Sequence, residues 1–554
     1  MGSLLESVTQ YGLKSFCQVS NRERKMGCLL DMLLAWAPPP PPPPHSCSPA
    51  AAAENSIAGA PTPHDSTTCR LRRFNRRPWC ASRSKSPRRA SLPLAALGPK
   101  DLWSLIIRIL PKLLGLPVSL VKKFDKHFYL PLIELKTVVG TLPELPQDVL
   151  MDIFATLEIP DLIRAGYICS SWRSAYTCLR DLGKYKHSQT PCLLYTSRSA
   201  GENVACLYSL VENRAYKLTL PGPPIRRSLL IGSSNGWLIT ADKRSELHLV
   251  NPITGEQVSL PSVITIEQVK PITDGSGIIH KYKLSLYSGQ HEDGTPMIYA
   301  LDKLREYLYF KAFVFLDPCT RSYFVVLIHH PRFQLSFARL GDDKWTWLPQ
   351  NTQYRDCMYK DGLLYALTAH GEIDAFDLTA STVTMKVIMN KVQESIIASR
   401  SWYIIWAPWG DMLQVWRTFS VPEYKDHDGD VPGDGRAMPW PWFRTTKVTI
   451  YKVDLKAREL VETKGLSNHI LFLGHNNSLC LCADEHPQLK ANHAYYTDDR
   501  SEPPVALKSV HRDIGVLDLE NSSRKKIVSH IWSNWPCPMW ITPNPTKMNL
   551  AFSK

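Results

Sequence analysis

One serine stands in the spacing that hydrolases use for a nucleophile. Ser234 is the central residue of a Gly-x-Ser-x-Gly pattern that runs from Gly232 to Gly236. Such a serine needs a helix directly after the turn, so that its hydroxyl is exposed at the end of a sheet. The run Trp-Leu-Ile-Thr that follows is typical of a β-strand, and Asn-Gly is a favoured pair for a two-residue hairpin turn. The sequence therefore predicts a hairpin turn at Asn235 and Gly236 rather than a nucleophile.

A calcium loop is the second candidate site. Asp426, Asp428 and Asp430 alternate as the acidic residues do in the first half of an EF-hand loop. That loop requires glycine at its sixth position and glutamate at its twelfth, where this chain has Val431 and Ala437. We therefore interpret the segment as a polar loop between strands, without a metal ion.

A zinc site is the third candidate. Its ligands would be Cys480, Cys482, His486 and His493, at a spacing that no standard zinc site uses. Because the two cysteines lie two residues apart on one strand, they share a face and are expected to pack as core thiols. The chain also contains no P-loop and no His-Glu-x-x-His pattern. We expect no catalytic residue, no cofactor and no bound metal, and hence a protein that is not an enzyme.

The positive charge of the chain is concentrated at one end. The net charge is +14 over 554 residues, and residues 1–100 contribute +9 of it, from 14 Lys and Arg and 5 Asp and Glu. The rest of the chain therefore carries only +5. A nucleic-acid-binding domain needs a basic face on its folded surface, so we expect no nucleic acid among the partners.

Residues 1–100 have the composition of a disordered, basic and proline-rich head. Pro38–Pro44 is a run of seven prolines, which favours polyproline II, and residues 66–100 hold ten Lys and Arg and no acidic residue. An organelle transit peptide is a second interpretation, because such peptides are rich in Arg and Ser and poor in acidic residues. A nuclear-import patch around Arg70–Arg77 is a third, and an artefact of the gene model would give the same pattern.

Residues 101–140 form an apolar connecting segment. Its most apolar part runs from 102 to 118 but contains Arg108 and Lys112, each of which costs about 2.5–3.5 kcal/mol at the centre of a bilayer. Pro111 also interrupts a helix at this point. We expect an amphipathic helical segment here and no stable membrane span.

Residues 141–180 have the apolar spacing of three short helices. Pro146 stands in the first turn of the first helix, Pro160 and Asp161 open the second, and Ser171 caps the third. Three such helices make a core too small to be stable alone. We therefore expect them to pack against a partner surface.

From about residue 190 to residue 554 the apolar pattern is that of short β-strands. A polar turn that begins with Asn or Asp recurs at intervals of 66, 60, 77 and 64 residues, at Asn251, Asp317, Asp377, Asp454 and Asp518. At about 40–50 residues per blade, these ~365 residues predict an all-β fold, a β-propeller of six to eight blades.

The helical stretch resembles an F-box. The resemblance runs from Leu142 to Tyr176 and rests on the opening Leu-Pro, the apolar spacing, the Pro-Asp hinge and the final Cys-x-x-Trp-Arg. It implies a unit that docks on a Skp-type adaptor and, through it, on a cullin. The residues expected in that contact are Leu145, Pro146, Leu150, Ile153, Leu157, Leu162, Ile168 and Trp172.

The β-rich part resembles the kelch-like F-box-associated domain of plant F-box proteins, a group long labelled as a domain of unknown function. The stretches that carry this resemblance are Gly232–Thr240, Asn251–Pro261, Asp343–Pro349, Tyr359–Leu378, Ala494–Asp499 and Trp535–Asn544. True kelch blades carry a Gly-Gly pair, and this chain contains none. The resemblance therefore implies a kelch-like propeller rather than a strict kelch repeat.

Together the two resemblances imply the substrate-recognition subunit of a Skp–Cullin–F-box ubiquitin ligase, whose propeller binds an unknown protein substrate. The loop from Val421 to Trp442 is the expected contact, through Trp440 and Trp442; an inert insertion that packs back into the blade is the alternative. We expect such a protein in the nucleus and cytoplasm. A non-ligase binding or structural protein with a vestigial F-box is the alternative function, organellar if residues 1–100 are a transit peptide.

Overall fold

The computed structural model describes residues 146–288, 291–292, 294–348, 353–379, 382–392, 399–420, 443–499, 512–527 and 535–546. All of them belong to one compact unit. The predicted head, the connecting segment, Leu145, the acidic loop after Val421, and both Trp440 and Trp442 lie outside the described residues. Among the residues that are described, no helix is long and apolar enough to cross a membrane.

Three helices open the described chain: α1 (Gln147–Phe154), α2 (Ile159–Ala165) and α3 (Ser170–Asp181). Pro146 precedes α1, and Pro160 lies in the first turn of α2, where a missing N–H costs nothing. The predicted cap Ser171 lies inside α3, which instead begins after Cys169, whose carbonyl accepts a hydrogen bond from the Arg173 N–H at 3.0 Å. The three-helix prediction is confirmed, with this shift in the third start.

Strands make up nearly all of the regular structure that follows. The first twelve are β1 (Cys192–Thr196), β2 (Val204–Ser209), β3 (Arg214–Thr219), β4 (Leu229–Ser234), β5 (Trp237–Ala241), β6 (Leu247–Val250), β7 (Gln257–Ser259), β8 (Val269–Thr273), β9 (Ile279–Leu284), β10 (Tyr287–Ser288), β11 (His291–Glu292) and β12 (Met297–Ala300). A fourth helix, α4 (Leu301–Leu308), then leads into the second half of the fold.

The remaining strands complete the sheets. They are β13 (Tyr309–Leu316), β14 (Tyr323–His329), β15 (Gln334–Arg339), β16 (Thr346–Leu348), β17 (Tyr354–Lys360), β18 (Leu363–Thr368), β19 (Ile373–Asp377), β20 (Thr384–Met389), β21 (Arg400–Trp406), β22 (Met412–Ser420), β23 (Arg444–Asp454), β24 (Glu459–Thr463), β25 (His469–Leu473), β26 (Leu479–Cys482), β27 (His493–Tyr496), β28 (Gly515–Asp518), β29 (Arg524–Lys525) and β30 (Met539–Ile541).

Six sheets form a closed ring of blades within the described chain. Blade 1 is β30-β1-β2-β3, blade 2 is β4 to β7, blade 3 is β13 to β16, blade 4 is β17 to β20, blade 5 is β21 to β24, and blade 6 is β26-β25-β27-β28-β29. A separate apolar core fills each of the six junctions, including the one between blades 6 and 1. The predicted all-β propeller is confirmed, and the number of blades lies at the lower end of the expected range.

The ring is closed by the two ends of the β-rich region. Strand β30 pairs antiparallel with β1, with Leu193 opposite Trp540, so one blade combines strands from both ends. Blade 6 departs from the simple meander, because β25 pairs in parallel with β27. The pairing of β30 with β1 therefore holds the two ends of the β-rich region together within one blade.

A unit is inserted between blades 2 and 3. It consists of the sheet β12-β9-β8, the hairpin β10-β11 and helix α4. Tyr282 of β9 and Leu304 and Leu308 of α4 are fully buried in the core that blades 2 and 3 share. We refer to this segment, residues 269–308, as the inserted unit. It explains why so many residues make only six blades.

The predicted polar turns are confirmed, with one difference in position. The Asp454 side chain accepts hydrogen bonds from the N–H groups of Ala457 and Lys456, both at 2.9 Å, and these bonds lower the pKa of its carboxyl. Asn251, Asp377 and Asp518 make the equivalent bonds at the turn before the outermost strand of a blade. Asp317 instead stands between the first two strands of blade 3. The recurring turn therefore does not mark one fixed point of each blade.

The Gly-x-Ser-x-Gly segment is a hairpin, as predicted. Ser234 ends β4 opposite Trp237, which begins β5. Both loop residues have left-handed backbones, with φ of 50° at Asn235 and 84° at Gly236, as a tight hairpin turn requires. No helix follows the serine, so the nucleophile geometry is not formed.

A loop of blade 6, residues 474–478, crosses the axis of the ring. The Asn477 N–H donates to the Ser233 carbonyl of blade 2 at 2.7 Å. On the other side, the Ser478 hydroxyl donates to Asp356 of blade 4 at 3.2 Å, and Asp356 is paired with Lys311 of blade 3 at 2.7 Å. We refer to residues 474–478 as the axial loop. The axial loop therefore links blades 2, 4 and 6, which are not neighbours in the ring.

Candidate functional site

The residues predicted to dock on an adaptor are split between a core and a surface. Leu150, Ile153, Leu157 and Leu162 are 8% exposed or less. Pro146 is exposed, Ile168 and Trp172 are half-buried, and Leu145 lies outside the described residues. The contact role of these residues stays a prediction, but four of the side chains face inward in this structure.

The four buried side chains join the helices to the propeller. They share one apolar core with Ala175 and Leu179 of α3 and with strands of blades 1 and 2, among them Leu194 and Leu207. A fully buried leucine contributes about 1.5–3 kcal/mol relative to an exposed one. The partner surface that three short helices need is therefore supplied by the chain itself.

The outer side of the helices carries apolar and aromatic side chains. Tyr167 is 43% exposed and has the Arg173 guanidinium 5.9 Å from its ring centroid. Trp172 packs edge-on against Phe154, with ring centroids 5.2 Å apart, and keeps its other side accessible. We refer to Pro146, Tyr167, Ile168 and Trp172 as the outer face. Exposed aromatic side chains beside an arginine are typical of protein interfaces.

A buried ion pair connects α2 to blade 1. Arg164 of α2 lies 3.0 Å from Glu212, in the turn between β2 and β3, and the two side chains are 1% and 3% exposed. The Arg164 guanidinium also bonds Asp161 and stands 5.5 Å from the Tyr216 ring centroid. Removing one member of such a pair leaves a buried charge without its partner, at a cost of about 3–5 kcal/mol.

The linker between α3 and β1 is bonded to the start of α2. The Ile159 N–H donates to the side-chain oxygen of Gln189 at 2.7 Å. Glu158, which precedes α2, accepts from the Thr190 N–H at 2.9 Å and from the Lys186 ammonium at 2.6 Å. These bonds fix the direction in which the chain leaves the helices.

Blade 6 holds the same linker from the other side. The two ring nitrogens of His486 are bonded to the hydroxyls of Ser188, at 3.1 Å, and Thr190, at 2.8 Å. Burial lowers the pKa of His486. The orientation of the helices relative to the propeller is therefore set by buried core, ion pair and linker together.

The residues considered for zinc do not converge. Cys480 is buried in the core between blades 5 and 6, whereas His486 faces the linker. His493 bonds the Ala491 carbonyl at 2.7 Å. Within the part of the chain that the structure describes, no group of three or more metal-ligating side chains comes together.

Sequence reasoning missed the two features that place the helices. Arg164 and Glu212 are 48 residues apart in the sequence. Gln189 is 30 residues from Ile159, whose N–H donates a hydrogen bond to the Gln189 side chain. No periodicity connects such residues. The one local signal was that three short helices cannot bury their own apolar surface.

Comparison with known proteins identifies both parts of the chain. Residues 207–518 match the family described as the KIB1-4 beta-propeller, and residues 142–178 match the F-box-like family. Among relatives from Arabidopsis thaliana, the F-box protein KIB3 is 26% identical over 46% of this chain and 51% of its own length. F-box protein KIB4 is 25% identical, over 43% of this chain and 59% of its own length. The chain thus spans about half the length of these two relatives.

A third relative matches over a longer stretch. The F-box protein SKIP23 of Arabidopsis thaliana is 25% identical over 72% of this chain and 95% of its own length. A solved structure of a 6-phosphogluconolactonase-like protein of Bacteroides fragilis covers 64% of this chain at 12% identity, but its TM-score of 0.28 is too low to support an argument. The resemblance to plant F-box proteins is confirmed, with kelch-like a loose description of the propeller. The match to the KIB1-4 beta-propeller family spans more than half of the chain. This protein therefore belongs to the KIB1-4 beta-propeller family and carries an F-box-like region ahead of its propeller.

Proposed function

We propose that this protein is the substrate-recognition subunit of a Skp–Cullin–F-box ubiquitin ligase. Its F-box-like helices bind a Skp-type adaptor and, through it, a cullin, while the propeller holds the protein to be ubiquitinated. The supporting observation is the buried junction between helices and propeller, which includes the 3.0 Å ion pair of Arg164 and Glu212. A receptor of this kind must hold its captured protein at a fixed position relative to the ligase, and a buried junction does so.

The adaptor contact is assigned to the outer face rather than to the whole apolar spacing. Pro146 and Tyr167 are exposed, and Ile168 and Trp172 are half-exposed. Leu145, next to Pro146 in the chain, belongs to the same predicted contact. An interface of ordinary size buries about 1,600 Å² in total. The inward-facing leucines support this contact by holding the helices in place.

The captured protein is expected on the outside of the propeller, since the axial loop links blades 2, 4 and 6 across the ring. One surface there has the composition of an interface. Tyr299 and Tyr307 of the inserted unit stack with centroids 4.9 Å apart, and the Tyr299 hydroxyl lies 3.2 Å from the Met297 sulfur. Met297 and Tyr307 are 41% and 49% exposed. We refer to these three residues as the Met-Tyr cluster; tyrosine and methionine side chains are enriched at protein interfaces.

The loop with Trp440 and Trp442 remains a second predicted contact, and the Met-Tyr cluster does not replace it. Both would present aromatic anchors on the propeller's outer surface. Substituting each surface separately and identifying the captured proteins distinguishes them.

The proposed function is tested by affinity purification of the full chain from plant cells with the proteasome blocked. We expect a Skp adaptor, a cullin and one or more ubiquitinated proteins. Replacing both Leu145 and Pro146 by Ala should remove adaptor and cullin but leave the captured proteins, because the propeller is unchanged. Recovery of captured proteins without any adaptor from the unaltered chain would contradict the ligase role and favour a non-ligase binding protein.

Nuclear and cytoplasmic localisation belongs to the same proposal, because the Skp adaptor must be in the same compartment. A fluorescent protein fused to the C-terminus leaves residues 1–100 free to act as a transit peptide. Signal in the nucleus and cytoplasm is expected; signal confined to an organelle would support the transit-peptide interpretation instead.

A further inference from the structure

A cavity lies where the linker to the F-box-like helices meets the axis of the propeller. Its volume is about 170 Å³, and its wall includes linker residues 187–189, Ser234 of β4, Asn476 of the axial loop and Trp540 of β30. Since one water occupies about 30 Å³ of liquid, the space corresponds to roughly six waters. It is therefore large enough for a small organic molecule.

Three buried polar atoms of the wall residues have no hydrogen-bond partner. They are the Ser234 hydroxyl, the Asn476 side-chain oxygen and the Trp540 indole N–H. Their residues are 4%, 2% and 0% exposed. A buried polar group without a partner destabilises the fold, so an occupant of this space that pairs these three groups would offset that loss.

The chemistry of the wall selects a neutral occupant. The indole N–H can only donate, the amide oxygen can only accept, and the hydroxyl can do both. The exposed His187 imidazole is the only group of the wall that can carry a charge, and no wall residue has a carboxylate, an ammonium or a guanidinium group. A charged molecule would therefore lose its hydration inside the space without gaining a buried counter-charge.

Part of the wall is apolar. Leu479, Leu481 and the ring of Trp540 line the same space as the polar atoms. A molecule that fits both parts has hydroxyl groups around its edge and C–H groups on its faces. Small polyols and monosaccharides combine these properties.

We propose that this cavity binds one small, neutral, polyhydroxylated molecule of monosaccharide or cyclitol size. The occupant bonds Ser234, Asn476 and Trp540 and contacts the linker. It therefore connects the axial loop of blade 6 with the segment that positions the helices, and binding stabilises the folded chain by an amount that rises with the logarithm of the ligand concentration above the dissociation constant.

Calorimetric titration of the full chain tests this site with glucose and myo-inositol as neutral probes. Glucose 6-phosphate and glucosamine serve as charged counterparts of similar size. We expect saturable binding of at least one neutral probe to a single site, with at least tenfold weaker binding of the charged ones. The melting temperature should rise with the concentration of the neutral probe that binds.

Two tryptophans provide a matched pair of variants. Trp540 and Trp237 are both fully buried and both have an unpartnered indole N–H, but only Trp540 lines the cavity. Trp540→Phe keeps the ring and removes the donor, so it should weaken binding at least tenfold, whereas Trp237→Phe should leave it unchanged. The proposal is overturned if neither neutral probe saturates a site, if charged probes bind as tightly, or if the two variants bind alike. A cavity filled by water alone would give the first of these results.

Discussion

Arg164 of the second helix and Glu212 of the first blade form an ion pair across the junction between helices and propeller, 3.0 Å apart and almost fully buried. A surface pair of this kind contributes little, but a buried one must stay complete. The pair therefore makes the position of the helices part of the folded core rather than a property of a flexible linker.

Arg164→Met should reduce the free energy of unfolding by about 3–5 kcal/mol, because it leaves the carboxylates of Asp161 and Glu212 buried without the guanidinium. Arg180→Met is the control, since its pair with Asp181 is 33% and 61% exposed, and should cost at most about 1 kcal/mol. Urea unfolding of the two variants measures the difference. Similar losses in both would show that the junction does not depend on the pair.

Gly236→Ala should destabilise the protein far more than Gly255→Ala. Both glycines have a left-handed backbone, with φ of 84° and 70°, where an L-residue costs about 1–2 kcal/mol. A Cβ at Gly236 would also lie 2.2 Å from the Asn544 Cβ and 3.0 Å from its backbone nitrogen, whereas a Cβ at Gly255 meets nothing within 4 Å. Thermal unfolding should therefore separate the two variants, and equal melting temperatures would contradict the close contact between the β4–β5 turn and the C-terminal segment.

Protonation of His475 should destabilise the fold at mildly acidic pH. Burial lowers the pKa of this residue of the axial loop to about 4, and neither ring nitrogen has a hydrogen-bond partner. Above pH ~6.5 the ring is neutral in both states. As the pH falls from there toward 4, the unfolded chain binds a proton that the folded chain does not, so stability is lost, by about 3 kcal/mol in total.

The variant His475→Leu isolates this contribution from those of His329 and His330, whose pKa values burial also lowers to about 4. Urea unfolding at several pH values should show that the free energy of unfolding falls less steeply with decreasing pH in the variant. The difference in slope should correspond to the uptake of about one proton on unfolding. An unchanged slope would contradict this, because it would mean that His475 binds its proton over the same pH range in the folded and the unfolded chain.

The Met-Tyr cluster should be required for capture of at least one protein. Tyr307→Ala removes the exposed ring that stacks on Tyr299, and loss of an aromatic anchor weakens an interface by about 2 kcal/mol or more. Val461→Ala is the control, because Val461 is 52% exposed on the outer strand of blade 5. Quantitative comparison of the captured proteins should show losses for Tyr307→Ala alone. Identical sets from both variants would exclude this surface.

Local pattern was sufficient to predict the three helices, the Asn235-Gly236 hairpin and the propeller class, because each depends on neighbours in sequence. It was not sufficient for the number of blades. Strands β8, β9 and β12 have the same composition as blade strands, yet they form a side sheet, and β30 joins a blade whose other strands lie more than 300 residues earlier. Such pairings depend on tertiary contacts that periodicity does not report.

The predicted contact residues show the same limit. Leu150 and Trp172 both follow the helical apolar spacing, but Leu150 is buried against the propeller and Trp172 keeps a partly open side. An apolar stripe indicates that a helix face is covered, but it does not indicate which surface covers it. Here part of the stripe is covered by blades 1 and 2 of the same chain.

The affinity of the purified full chain for a purified Skp adaptor, measured by calorimetry, tests whether the outer face is the adaptor-binding surface. We expect one adaptor per chain, and at least hundredfold weaker binding when Tyr167 and Ile168 of the outer face are both replaced by Asp. Leu182→Asp is the control, since Leu182 is 55% exposed just beyond α3 and should bind as the unaltered chain does. Absence of adaptor binding by the unaltered chain would contradict the ligase role, and full binding by the folded double variant would show that the outer face is not the adaptor contact.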